Sequence, residues 1–177
     1  MERELRSLDR QLDSGYLTDL KKIETLSLRN SESNARFTQV LKSKDPAQMD
    51  ELVKTVSARV ASKVDCTQCA NCCRSLIIAP DYPDISRLAC ATNMTTQDFK
   101  RKYMRRDFEG DIVMKQKPCP FLKNNRCSVY ENRPKLCRRY PYLDESGFVE
   151  NLNRVLRNLS VCPIAYNTFE SLKASVR

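Results

Sequence analysis

Apolar positions in the first 64 residues are sparse and recur at helical rather than alternating spacing. Leu5, Leu8 and Leu12 make a narrow stripe that predicts a short first helix, interrupted by Asp13-Ser14-Gly15. Leu17, Leu20 and Leu28 predict a second helix and Phe37, Val40 and Leu41 a third, with a loop over Asn30 to Asn34 between them. The clearest helix is 46–63. Asp45 is placed to cap it, Pro46 occupies its first position, and Met49, Leu52, Val53, Val56 and Val60 recur on one face. No heptad run is long enough for a coiled coil. These helices are expected to pack as an accessory to the rest of the chain, or to serve as an arm for a protein partner.

After residue 64 the pattern breaks into shorter pieces. Ser75-Leu-Ile-Ile-Ala79, bounded by Pro80, predicts a buried strand. Asp84 opens a helix carrying Ile85, Leu88 and Ala89. Thr95 or Thr96 caps another, with Phe99 and Tyr103 inward and Lys100, Arg101, Lys102, Arg105 and Arg106 on its outer face. That basic face is either solvated or a surface for an acidic or nucleic-acid partner. Gly110–Gln116 reads as a strand. Asn124-Asn125 predicts a tight hairpin over 119–127 that brings two cysteines together. Arg133-Pro134 starts a short helical turn leading to Cys137, limited by Pro134 and Pro141. Residues 147–159 are expected to hold one or two strands. Cys162-Pro163 opens a C-terminal helix with Ile164, Tyr166, Phe169 and Leu172 partly buried. The fold class is α+β: a small, irregular cysteine-rich metal-binding domain of short strands and helices over 65–177, preceded by a helical N-terminal extension over 1–64.

Composition changes this picture in three ways. The 177 residues include 31 Lys and Arg against 22 Asp and Glu, a formal charge of +9. If eight thiolates held two divalent ions the sum would fall to roughly +5, because metal ligands are deprotonated. There is no histidine, which excludes His-containing zinc sites and Ser-His or Cys-His catalysis. Three glycines leave no phosphate-cradling loop. The chain opens on Met-Glu-Arg-Glu-Leu-Arg without an apolar signal region, and no apolar run approaches the roughly 20 residues that span a bilayer. A cytoplasmic protein without a membrane segment is the expectation, in a compartment where thiols stay reduced.

There are nine cysteines, an odd number that argues against a fully paired disulfide framework. Cys66, Cys69 and Cys72 repeat every third position, the spacing with which a knuckle grips a metal. Cys73 is adjacent to Cys72. In an extended segment neighbours leave on opposite faces, so Cys72 and Cys73 are expected not to ligate the same ion, one of the two reaching a second site or bridging within a cluster. Cys119, Cys127, Cys137 and Cys162 follow, two of them directly before proline. The spacing matches neither a zinc ribbon nor the bacterial ferredoxin run. It predicts a thiolate metal site of four or more ligands without naming the metal.

These blocks carry a resemblance. Cys-x-x-Cys-x-x-Cys-Cys, then Pro-Cys-Pro-Phe-Leu, then Cys-Ser-Val-Tyr-Glu-Asn-Arg-Pro-x-x-Cys-Arg-Arg-Tyr-Pro resemble the YkgJ-type CxxCxxCC cysteine-cluster family, described as zinc- or iron-chelating. The likeness spans residues 66–142, with Cys162 as the late cysteine. It implies Cys66, Cys69, Cys72, Cys73, Cys119, Cys127, Cys137 and Cys162 as metal ligands. Cys90 falls outside the pattern and reads as a core residue. Arg133 and Arg138 are placed to donate to sulfur or to Glu131, and Tyr130 and Tyr140 to cover the site. The flagellin lysine N-methylases share the cysteine pattern and imply an iron–sulfur enzyme as an alternative. A further alternative is a metal-stabilised binder of RNA or of an acidic protein through the 100–106 and 133–139 basic residues, although aromatic interleaving is poor and Trp is absent.

Overall fold

The computed structural model describes residues 15–143 and 145–176; the stripe of Leu5, Leu8 and Leu12 lies outside the described residues. Contacts divide the chain into two compact units. One comprises the described residues up to Asp65 together with those from Pro141 onward, and the other is Cys66–Tyr140. The expected partition at 64/65 follows the motifs. The compact units follow contacts, and the stretch after Tyr140 goes with the N-terminal helices.

The helical unit begins with α1 (Leu20–Arg29), α2 (Ser31–Lys42) and α3 (Pro46–Ala61). Asp19 caps α1 by accepting from Lys22 N at 3.0 Å, and Asp45 caps α3 by accepting from Gln48 N at 2.8 Å, with Pro46 at the first turn. Met49, Val53, Val56 and Val60 form the buried face of α3. The second helix expected from Leu17, Leu20 and Leu28 is there as α1; its buried positions are Ile23 and Ser27, and Leu28 is exposed. Asn30 to Asn34 is not a loop: α2 starts at Ser31 with Asn30 as the joint, and Asn34 is buried. The short polar side chain that suggested a loop accepts instead from Lys173.

After the cysteine-bearing unit the chain returns as α9 (Leu152–Leu159) and α10 (Pro163–Ser175). Expected strands over 147–159 are replaced by α9. Leu152, Val155 and Leu159 are buried at three- and four-residue intervals, a helical period that the short window disguised. Asp50 holds the entry to α9 by accepting from Gly147 N at 2.8 Å and Phe148 N at 2.9 Å. Helix α10 packs against α3, α9 and α1 and is buried on nearly every side, including Ile164, Tyr166, Phe169 and Leu172. Phe169 takes Phe37 edge-on, ring centroids 5.5 Å apart.

In the Cys66–Tyr140 unit the elements are short: α4 (Cys66–Cys69), α5 (Asn71–Ser75), α6 (Tyr82–Ala91), α7 (Thr96–Tyr103), β1 (Met104–Arg106), β2 (Ile112–Met114), β3 (Leu122–Lys123), β4 (Arg126–Cys127), a 3-10 turn at Tyr130–Asn132 and α8 (Lys135–Arg139). The mixture of helices and short antiparallel strands is the expected α+β class. Ile85, Leu88, Ala89, Phe99, Met104, Met114, Phe121 and Val129 form its core, and the rings of Phe99 and Phe121 stack at 6.0 Å. Thr95 caps α7 by accepting from Asp98 N at 3.1 Å. Ser75–Ala79 is not a buried strand: Ile77 is exposed, while Ile78 packs on the core and its carbonyl accepts from Met114 N at 3.0 Å. Arg105 and Arg106 belong to β1 rather than to the helix before it, and pair with Val113 and Ile112 of β2.

Candidate metal centre

Three separate pieces of chain bring cysteines to one place. The first is α4–α5. Ala70 lies between the two helical turns at φ 47°, a left-handed residue that lets the second turn start at once. Because Cys72 and Cys73 are helical rather than extended, they do not leave on opposite faces as expected. Their side chains are hydrogen-bonded to each other, and this bond, with the nearby Arg74 guanidinium, outweighs burial and holds the Cys73 thiol down at about 7. Cys66 is exposed and Cys69 half-buried on the preceding turn.

The second piece is the β3–β4 hairpin. Asn124 and Asn125 take φ 48° and 62°, the two positive angles of a type I′ turn, with Leu122 opposite Cys127 and Lys123 opposite Arg126. Cys119 N donates to Cys73 O at 2.8 Å, joining this segment to α5. Around the hairpin, backbone N–H groups turn toward sulfur. Those of Phe121 and Leu122 donate to the Cys119 thiol, and that of Val129 to Cys127. Such donors favour a thiolate and are supplied two and three residues after the cysteine by the turn itself.

The third piece is α8, which carries Cys137. The four sulfurs of Cys73, Cys119, Cys127 and Cys137 feel one another. Burial is the first cause pushing Cys119, Cys127 and Cys137 above the usual thiol range, and the neighbouring thiols add to it, taking Cys137 up to about 12. The Arg133 guanidinium works the other way on Cys127. The group is a neighbourhood rather than a closed cage: among the described residues no three cysteine sulfurs lie within 4.8 Å of one another, the distance met by the acidic trio Asp107, Glu109 and Asp111. The donor set itself fits a metal. Four soft sulfur donors, two of them already receiving backbone N–H groups, are the chemistry that selects zinc or iron over harder ions.

Two polar residues that the sequence marks only as turn and helix-start signals hold these pieces together. Asn125, besides making the turn, donates from Nδ2 to Gln68 O at 3.2 Å and accepts from Arg74, whose Nη1 donates to Cys69 O at 2.6 Å. The turn bearing Cys66 and Cys69 is thereby tied to the hairpin. Asp84, 1 % exposed, accepts the Lys135 N–H on both carboxylate oxygens at 3.1 Å and pairs with Arg87. Lys135 is the first residue of α8, so a buried carboxylate fixes the start of the helix that presents Cys137. Its position in the first turn of α6 looked like ordinary helix capping chemistry, and nothing local marked the distant partner.

The remaining expected residues have different surroundings. Arg138 donates to the backbone oxygens of Glu131 and Arg133 at 2.6 and 3.0 Å, and Arg133 lies over the Tyr130 ring at 3.7 Å. Both arginines thus secure the turn between Cys127 and Cys137. Cys90 is exposed at the end of α6 rather than in the core, because Ile85, Leu88 and Ala89 define the buried face and residue 90 falls off it. Cys162 is buried in the helical unit at the N-cap of α10.

No helix among the described residues is long and apolar enough to cross a membrane. No curated protein and no solved structure matches the chain. A family model does: "CxxCxxCC: Putative zinc- or iron-chelating domain" matches residues 65–163, more than half of the sequence and the whole cysteine-bearing unit. With three chain segments converging on a soft-donor cluster and the matched span covering all of them, this chain belongs to the CxxCxxCC family of metal-chelating domains.

Proposed function

We propose that the protein holds zinc or iron through cysteine thiolates alone, with Cys73, Cys119, Cys127 and Cys137 as one four-sulfur set. The observation that carries this reading is that three segments bring these cysteines into one neighbourhood, Cys119 N donating to Cys73 O at 2.8 Å and the thiols of Cys73, Cys119 and Cys127 close enough to raise that of Cys137. Cys66, Cys69 and Cys72 supply a second donor group on the adjoining turns. Cys162 falls inside the matched span and stays in the proposed ligand set on that ground. Bound there, zinc would supply a cross-link between otherwise short elements, whereas iron or an iron–sulfur cluster would supply redox chemistry. The chain's own part is to gather the sulfurs, to offer N–H groups to Cys119 and Cys127, and to place arginines beside the negative charge. A four-thiolate set fills the positions of a tetrahedral ion, which favours a structural, storage or sensing role over hydrolysis.

The test is the visible spectrum of protein purified without air, with elemental analysis for zinc, iron and acid-labile sulfide. Colourless protein containing zinc supports the structural reading. Brown protein with iron and sulfide supports the redox reading and the link to methyl-transfer enzymes. Protein that takes up neither metal would overturn thiolate chelation.

A further inference from the structure

The basic surplus of the chain is not spread evenly. Of the 31 Lys and Arg, 15 lie in Cys66–Tyr140 against seven of the 22 Asp and Glu, a surplus of eight. The rest of the sequence has 16 against 15, a surplus of one. With the seven proposed ligands of this unit as thiolates around two divalent ions, its surplus would fall by about three, to roughly five. A unit of this size with such a charge attracts polyanions.

Exposed aromatic rings decide which polyanion fits. Tyr82 is 67 % and Tyr130 49 % exposed, although side chains of this size usually bury their rings. Each carries a cation over its face, Lys100 at 5.1 Å from the Tyr82 ring and Arg133 at 3.7 Å from Tyr130. Tyr82 starts α6, and α6 packs against both α7, which bears Lys100, and the turn bearing Tyr130. The two ring–cation pairs therefore stand on adjoining elements, with Arg87 and exposed Lys135 also there. The acids on these elements are Asp81, exposed and capping α6, Asp84, buried against Lys135 N and Arg87, Asp98, paired with Arg101 on α7, and Glu131.

We propose that these adjoining elements bind single-stranded nucleic acid through Tyr82, Lys100, Tyr130, Arg133 and Lys135. Cations hold the phosphates, and each tyrosine stacks a base on the side of the ring opposite its cation. A duplex keeps its base faces to itself, and an acidic peptide has no use for exposed rings. The inference does not depend on which metal the cysteines hold.

The experiment uses the full metal-loaded chain and fluorescence anisotropy with oligouridine and oligothymidine of about 20 nucleotides, long enough for one site. Saturable binding is expected, weakening with salt at a log–log slope of about −0.7 for each phosphate neutralised. Tyr82→Ala and Tyr130→Ala should each weaken binding roughly ten-fold with the slope unchanged. Tyr82→Phe and Tyr130→Phe should bind normally, because stacking needs the ring and not the hydroxyl. Lys100→Gln and Lys135→Gln should lower the slope. Metal content, measured on every variant, confirms that the unit is folded. No binding at low salt overturns the proposal. So does binding indifferent to both alanine substitutions, or binding displaced equally well by polyglutamate, which would mark a surface for acidic protein.

Discussion

Asp84 offers the sharpest test of how the metal centre is held. Its carboxylate sits at the start of α6, 1 % exposed, yet both oxygens accept the N–H of Lys135 in α8. Pro134 precedes that residue and has no N–H to offer, so Asp84 is the anchor for the first turn of the helix carrying Cys137. Two opposing consequences follow from removing it. The negative charge of Asp84 is one cause of the raised Cys137 thiol, so its loss should ease deprotonation. That cause ranks behind burial and three neighbouring thiols and is the smaller effect. Against it stands a buried charge-assisted hydrogen bond of about 1.5–3 kcal/mol. The ion pair with Arg87 adds little, because the Arg87 side chain is 41 % exposed. Geometry therefore wins. Asp84→Ala should lower metal affinity by about 10- to 100-fold, the range for residues that orient ligands. Asp84→Asn keeps one acceptor oxygen while losing the charge, and should stay within a few-fold of the wild type. Competition against a chromophoric chelator measures the affinity, and the sulfur-to-metal charge-transfer band of the cobalt-substituted protein reports the thiolates bound. Unchanged affinity and band intensity in Asp84→Ala would refute the anchoring argument. Tighter binding in that variant would mean that charge, not position, governs Cys137.

Substituting Cys73, Cys119, Cys127 or Cys137 by Ser should each lower metal content and destabilise the unit, as should Cys69→Ser, whereas Cys90→Ser should retain metal; elemental analysis decides, and full metal in the first four would break the proposed set. Asn125→Gly preserves the left-handed turn but removes the links to Gln68 and Arg74, so denaturant unfolding should show a loss of roughly 1 kcal/mol. Asn125→Val should cost more, since a β-branched residue is poorly accommodated at φ 62°. Because Cys119, Cys127 and Cys137 lie above the usual thiol range, they are protonated at neutral pH in the metal-free chain. Metal uptake should then release protons into a weakly buffered solution, and occupancy should fall as the pH is lowered, since protons compete with the metal for sulfur. Uptake without proton release would contradict thiolate ligation.

Several features were legible without tertiary structure because their causes are local. Asp45 with Pro46, and Thr95 with Asp98, start helices by hydrogen bonds that close within three residues. Asn124-Asn125 specifies its turn by backbone angles that few other residue types accept. The cysteine blocks announced metal chemistry by residue type and spacing, and the family match covers the same span. What sequence could not decide was which face of each segment meets which neighbour. Local spacing places Cys90 in the core, and packing leaves it exposed. Leu152, Val155 and Leu159 recur at helical intervals within a window too short to be decisive, and α10 supplies a surface for their helix. Cys72 and Cys73 diverge in an extended chain and meet in a helix, and a left-handed Ala70 makes the difference. The partnership of Asp84 with Lys135 spans 51 residues. Capping and turn formation are settled within a few bonds of chain, so residue identity determines them. Burial of a carboxylate or convergence of four sulfurs depends on segments that meet only after the chain has closed on itself.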